Sequence, residues 1–127
     1  MFRVREAALA STIAIAACGS SSTPAPPTAP GPGGSVTIIT ITANGADQRN
    51  LTVTLGTRIR WVNNDTRPHE MSSDPHPEHD QCPEINGGLL AAGQSRETNN
   101  LVAAKTCGFH DHINPNQANL KGTITIR

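Results

Sequence analysis

The feature that most constrains this chain is an alternation of period two. In "VTIITIT" (Val36 to Thr42), "LTVTL" (Leu51 to Leu55), "RIRWV" (Arg58 to Val62) and "TITIR" (Thr123 to Arg127), β-branched and apolar residues take turns with polar ones over short runs. Successive side chains of a strand point to opposite faces, so such runs make half-buried strands and do not supply the stripe a helix needs. Asn44-Gly45, Gly56, Asn63-Asn64-Asp65, Gly87-Gly88 and Gly93 punctuate the runs as turns. No window of helical length has a clean apolar stripe, although Leu101 to Ala104 suits a single helical turn. The expectation is an all-β, Greek-key β-sandwich of about seven or eight strands, with no internal repeat. Trp61, the only tryptophan, shares a side with Ile59 and is expected in its core.

The alternation starts only after the first third of the chain. Residues 1–17, "MFRVREAALASTIAIAA", open with Arg3 and Arg5 and continue into an apolar run from Ala7 to Ala17 that is too short to span a bilayer. This is the form of a signal peptide, so the mature protein is expected outside the cytoplasm, in the cell envelope or periplasm. The ending "Ile15-Ala16-Ala17-Cys18" resembles a bacterial lipobox, which implies cleavage before Cys18 and lipid attachment to its sulfur. Residues 18–35 are nearly all Gly, Ser, Thr, Pro and Ala, a composition that buries no core and suits a tether between a lipid anchor and a domain at 36–127. Lys plus Arg and Asp plus Glu both number 10, and no basic block stands out, so nucleic acid is not an expected partner.

Chemistry concentrates in the second half. All five histidines, His69, His76, His79, His110 and His112, fall between positions 69 and 112. Imidazole is the commonest metal ligand, so the clustering points to a metal or a pH switch. If Cys107 ends a strand, a tight turn at Gly108-Phe109 brings His110 beside its sulfur. His69, which follows "RIRWV" and the turn "NNDTRP", then completes a trigonal set. Two imidazoles, one thiolate and a weak axial group suit one copper ion cycling between its cupric and cuprous states.

At these residues the sequence resembles the cupredoxins, the blue-copper family that includes plastocyanin. The resemblance covers about Ser35 to Arg127 and rests on "LTVTLGTRIRWVNNDTRPHEM" and on "CGFH" followed by "LKGTITI". It implies a small, monomeric electron carrier with His69, Cys107 and His110 as copper ligands and a redox protein of the envelope as partner. Two departures stand out. Leu120 falls where the family's axial methionine is expected, and leucine cannot ligate. The longer final loop offers His112, Asn114, Gln117 and Asn119 instead, while Met71, two residues past His69, is an axial candidate or core filler. The second departure is the insertion "SSDPHPEHDQCPEI", Ser72 to Ile85, whose prolines suggest an ordered loop near the metal face. Its His76, His79 and Cys82 suit either an additional metal site or plain solvated surface.

Cysteine count leaves a choice open. Once Cys18 is lipidated, Cys82 and Cys107 remain in an oxidising compartment, and an even remainder favours a disulfide. Pairing removes the thiolate and leaves copper to His69, His110, His112 and Met71, a site for carrying or sensing copper. Without pairing, Cys107 is a copper ligand and Cys82 a buried thiol. No nucleophile motif, phosphate loop or H-E-x-x-H zinc signature is present, so an enzyme is not expected. Phe109 is expected either over the site, excluding water, or in an exposed patch that docks the partner.

Overall fold

The computed structural model describes residues 34–127. The expected signal peptide, Cys18 and most of the tether lie outside the described residues. Among the described residues nine strands run in chain order: β1 Val36–Thr42, β2 Gly45–Ala46, β3 Asn50–Val53, β4 Arg58–Asn63, β5 His69–Ser73, β6 Gly88–Leu90, β7 Ser95–Glu97, β8 Lys105–Asp111 and β9 Gly122–Ile126. They form a four-stranded sheet in the order β2-β1-β4-β7 and a five-stranded sheet in the order β3-β9-β8-β5-β6. β1 pairs parallel with β4, and β3 with β9, because the chain crosses between the sheets. This is the expected all-β sandwich.

The alternating runs become strands whose apolar members face inward. Ile39 and Ile41 of β1, Ile59 and Trp61 of β4, and Ile124 and Ile126 of β9 are buried, while their neighbours are exposed or half-buried. Removing each of these isoleucine side chains from water supplies about 1.5–3 kcal/mol. Trp61 is in the core as expected. Its indole N–H donates to the Ile85 carbonyl at 2.8 Å, and its ring meets Phe109 edge to face at 5.2 Å between centroids. The Cα of Gly87 sits against that indole, and a Cβ there would lie 2.8 Å from it.

Several expectations change. Leu101 to Ala104 forms no helical turn; single 3-10 turns occur instead at Pro83–Ile85 and Ala118–Leu120. Phe109 is buried, so it excludes water from the core and is no docking patch. Met71 and Leu120 are also fully enclosed among core residues. β8 does not end at Cys107: it runs unbroken through Gly108 and Phe109 to Asp111, paired with β9 along its first part and β5 along its last.

Candidate metal centre

The uninterrupted course of β8 decides the site. Residues three apart on a strand point to opposite faces. Cys107, Phe109 and Asp111 turn inward, while His110 and His112 lie on the other face. The expected set of His69, Cys107 and His110 is therefore not brought together. Cys107 is bonded to Cys82, with 5.8 Å between Cα atoms, so the disulfide alternative is the one found and no thiolate is present there. Cys107 is reached by Cys82 because the β5–β8 pairing ends at the Asp74 N–H to Gly108 carbonyl bond of 3.0 Å, leaving Cys107 without a β5 neighbour.

His69 is held in the core by two carboxylates. In the turn before it, Asn63 Oδ1 accepts the Asp65 N–H at 2.9 Å, and Arg67 clamps Asp65 Oδ2 through Nε at 3.0 Å and a terminal nitrogen at 2.8 Å. Asp65 then faces His69 Nε2, and Asp111 faces Nδ1, both at 3.0 Å. Neither ring nitrogen is left to ligate. The neighbouring His69, then Arg67, holds the Asp65 carboxyl well below the usual carboxylate range. Burial pushes the Asp111 carboxyl up, but hydrogen bonds from Asn114, the Glu70 N–H, His69 and the Ile113 N–H outweigh it and hold it low.

A different histidine set converges. His110 on β8 and His112, the first residue past its end, meet His76 and His79, which the loop of residues 74–82 folds over them. Ring centroids are 5.4 Å apart for His76 and His110, 4.9 Å for His76 and His112, 4.9 Å for His79 and His110, and 4.8 Å for His79 and His112. One ligand atom from each of His76, His79 and His110 lies within 4.8 Å of the others. The burial pattern carries the trace of this cover: alternation breaks down at Ser72–Ser73 and at His110–Asp111, where both faces are buried.

Hydrogen bonds orient these rings. A carbonyl oxygen only accepts, so His79 Nδ1 donates to the Ser73 carbonyl at 2.8 Å and its Nε2 keeps a lone pair, 2.6 Å from His112 Nδ1. Asp74 Oδ1 accepts from His110 Nδ1 at 2.6 Å. His110 Nε2 is thereby left as a buried acceptor, and it has no hydrogen-bond partner. A carboxylate behind an imidazole, with the far nitrogen free, is the arrangement that holds a metal ligand, and His110 shows it; His79 Nε2 would exchange its bond to His112 for an ion. His79 itself has a left-handed backbone, φ 56°, which is uncommon for a residue other than glycine. Bonds from the Ser73 hydroxyl at 2.8 Å and the Asn86 amide at 3.2 Å to its carbonyl hold it so. Loss of hydration, then repulsion from His112, His110 and His79, pushes the His76 imidazole below its ordinary value, which favours the neutral ligand form.

Sequence reasoning named all four residues, but placed His110 with Cys107 and left His76 and His79 between two readings. It missed Asp74 as the partner of His110, and Asp65 and Asp111 as the partners of His69. The strand parity of His110 and His112 was the available signal.

No protein-family model matches the chain, and no curated protein sequence does. Solved structures match over the sandwich. A purple cupredoxin from Nitrosopumilus maritimus is 21% identical, with a TM-score of 0.58, covering 71% of this chain and 98% of that one. A lysine-for-methionine variant of oxidised amicyanin is 16% identical, with a TM-score of 0.59 and coverage of 72% and 82%. A glutamine-for-methionine variant of amicyanin with Cu(I) is 18% identical, with a TM-score of 0.59 and coverage of 76% and 85%. The fold is that of the cupredoxins.

Proposed function

We propose that this chain is a copper-binding protein of the cell envelope that holds one ion among His76, His79, His110 and His112 and carries it, with no enzymatic step. The observation that carries the reading is His110 Nε2, a buried acceptor without a partner, on a carboxylate-oriented ring whose ligand atom lies within 4.8 Å of those of His76 and His79, with the His112 ring beside them. Four nitrogen donors bind divalent copper more tightly than other divalent first-row ions. The likeness of the fold to structures described as a purple cupredoxin and as amicyanin with Cu(I) supports copper further. The buried disulfide suits an oxidising compartment, in keeping with the expected signal peptide and the lipid anchor at Cys18. Among the described residues no helix is long and apolar enough to cross a membrane.

Electron transfer at His69, Cys107 and His110, with a redox protein as partner, is the second reading, favoured by amicyanin structures described in oxidised and Cu(I) forms. It needs Cys107 as a thiolate. Titration of the oxidised protein with Cu(II) separates the two. The carrier reading expects one equivalent bound and loss of that equivalent in a His79→Ala/His110→Ala variant. Retention of stoichiometric copper by the variant refutes the site.

A further inference from the structure

Cys82 closes the loop that carries His76 and His79, and Cys107 sits on β8 three residues before His110, so their disulfide ties together the two halves of the imidazole group. Hydrogen bonds continue the tie into the site. The Cys82 N–H donates to Ser73 Oγ at 3.3 Å, and that hydroxyl donates to the His79 carbonyl at 2.8 Å. The Ser73 carbonyl in turn accepts from His79 Nδ1 at 2.8 Å. Both cysteines are 0% exposed, so a reductant reaches the sulfurs only when the loop lifts from β8.

We propose, resting on the reading of the four histidines as the metal site, that the Cys82–Cys107 disulfide is a latch: its oxidation state and the occupancy of the site are reciprocally linked. Closed, it holds His76 and His79 over His110 and His112. A dithiol reduces it by exchange, leaving two thiols on this chain and a disulfide on the reductant, and Cys82 then no longer anchors the Ser73–His79 bonds. The converse follows thermodynamically. An ion shared between loop and strand holds the loop down, so occupancy opposes reduction by the same factor by which reduction weakens binding.

The test compares Cu(II) affinity, by chelator competition without thiols, in oxidised wild type and in Cys82→Ala/Cys107→Ala. The expected result is an affinity at least about tenfold weaker in the variant, the range for losing a group that orients metal ligands. Val53→Ala, a core truncation on β3 away from the histidines, is expected to keep wild-type affinity. Equal affinity in wild type and the cysteine variant overturns the latch, as does a loss in Val53→Ala as large as the cysteine variant's. Failure of the oxidised wild type to bind Cu(II) overturns the metal site instead.

A second measurement needs no variant. A trialkylphosphine and water convert the disulfide into two thiols and a phosphine oxide, and thiol trapping follows the rate. With Zn(II), which does not oxidise the phosphine, at 100 times its measured Kd, the open population falls by about 100-fold. The rate is expected to fall with it. A rate indifferent to Zn(II) overturns the latch.

Discussion

Gly108→Ala tests whether Asp74 holds His110 in a ligating pose. Gly108 lies on β8 two residues before His110, on the same face, and a Cβ there would stand 2.1 Å from Asp74 Oδ2 and 2.9 Å from its carboxyl carbon. Real contacts of this kind are not shorter than 3.0 Å, so the carboxylate must withdraw by about an ångström. Its other oxygen, Oδ1, accepts from His110 Nδ1 at 2.6 Å, and turning or shifting the carboxylate to clear Oδ2 disturbs that bond. A hydrogen bond to a charged group contributes about 1.5–3 kcal/mol. Cu(II) affinity should therefore fall by about 10- to 100-fold, with little change in melting temperature, because half-exposed Asp74 has room to move. Chelator competition gives the affinity, and a double-mutant cycle assigns the cause. In an Asp74→Asn background, where the charge is already gone, Gly108→Ala should add less than about 0.5 kcal/mol. An undiminished affinity in Gly108→Ala, or a full effect in the Asp74→Asn background, refutes the reasoning.

Three other outcomes are expected. His69→Ala should cost about 1.5–3 kcal/mol of stability by chemical denaturation, since it takes one hydrogen bond from each of the Asp65 and Asp111 carboxylates, which keep Arg67 and Asn114 as partners. It should leave copper stoichiometry at one, whereas a ligand role for His69 predicts loss of the ion. Because the folded-state pKa values of Asp65 and Asp111 are depressed, their stabilisation is present above the unfolded carboxylate pKa, about 3.9, and is lost as pH falls below it. Asp65→Asn should flatten the acid limb of a stability–pH profile, and an unchanged limb would argue against the clamp. Cys18→Ser should release the protein from membranes with the domain's metal binding intact, as cell fractionation would show; equal membrane retention sinks the anchor.

Much of the fold is legible because strand periodicity is short-range. The runs at Val36–Thr42, Arg58–Val62 and Thr123–Arg127 alternate in the sequence as they do in the sandwich, and Trp61 falls on the buried side. β6 and β7 are three residues each, too short for alternation to register. The site is less legible for a specific reason. "Cys-Gly-Phe-His" reads as a turn that gathers sulfur and imidazole, or as a strand that separates them. The ladder β8 makes with β9 and β5, a non-local interaction, decides for the strand. His69 carries no sequence sign of its role, since one of its carboxylates lies four residues before it and the other 42 after. The covering loop was expected as ordered and near the metal face; that its histidines face those of β8 follows from the backbone of His79 and the tie at Cys82, both set by tertiary contacts.

The proposed site puts copper among imidazoles, with both cysteine sulfurs of the domain committed to each other. Optical and electron paramagnetic resonance spectra of the Cu(II)-loaded mature protein, taken with a count of free thiols on the unloaded, unfolded chain, test it most directly. The expected result is no free thiol from Cys82 or Cys107, no intense thiolate-to-copper charge-transfer band, and hyperfine splitting from several nitrogen donors. Two free thiols with an intense blue or purple band would contradict it and place the ion on Cys107.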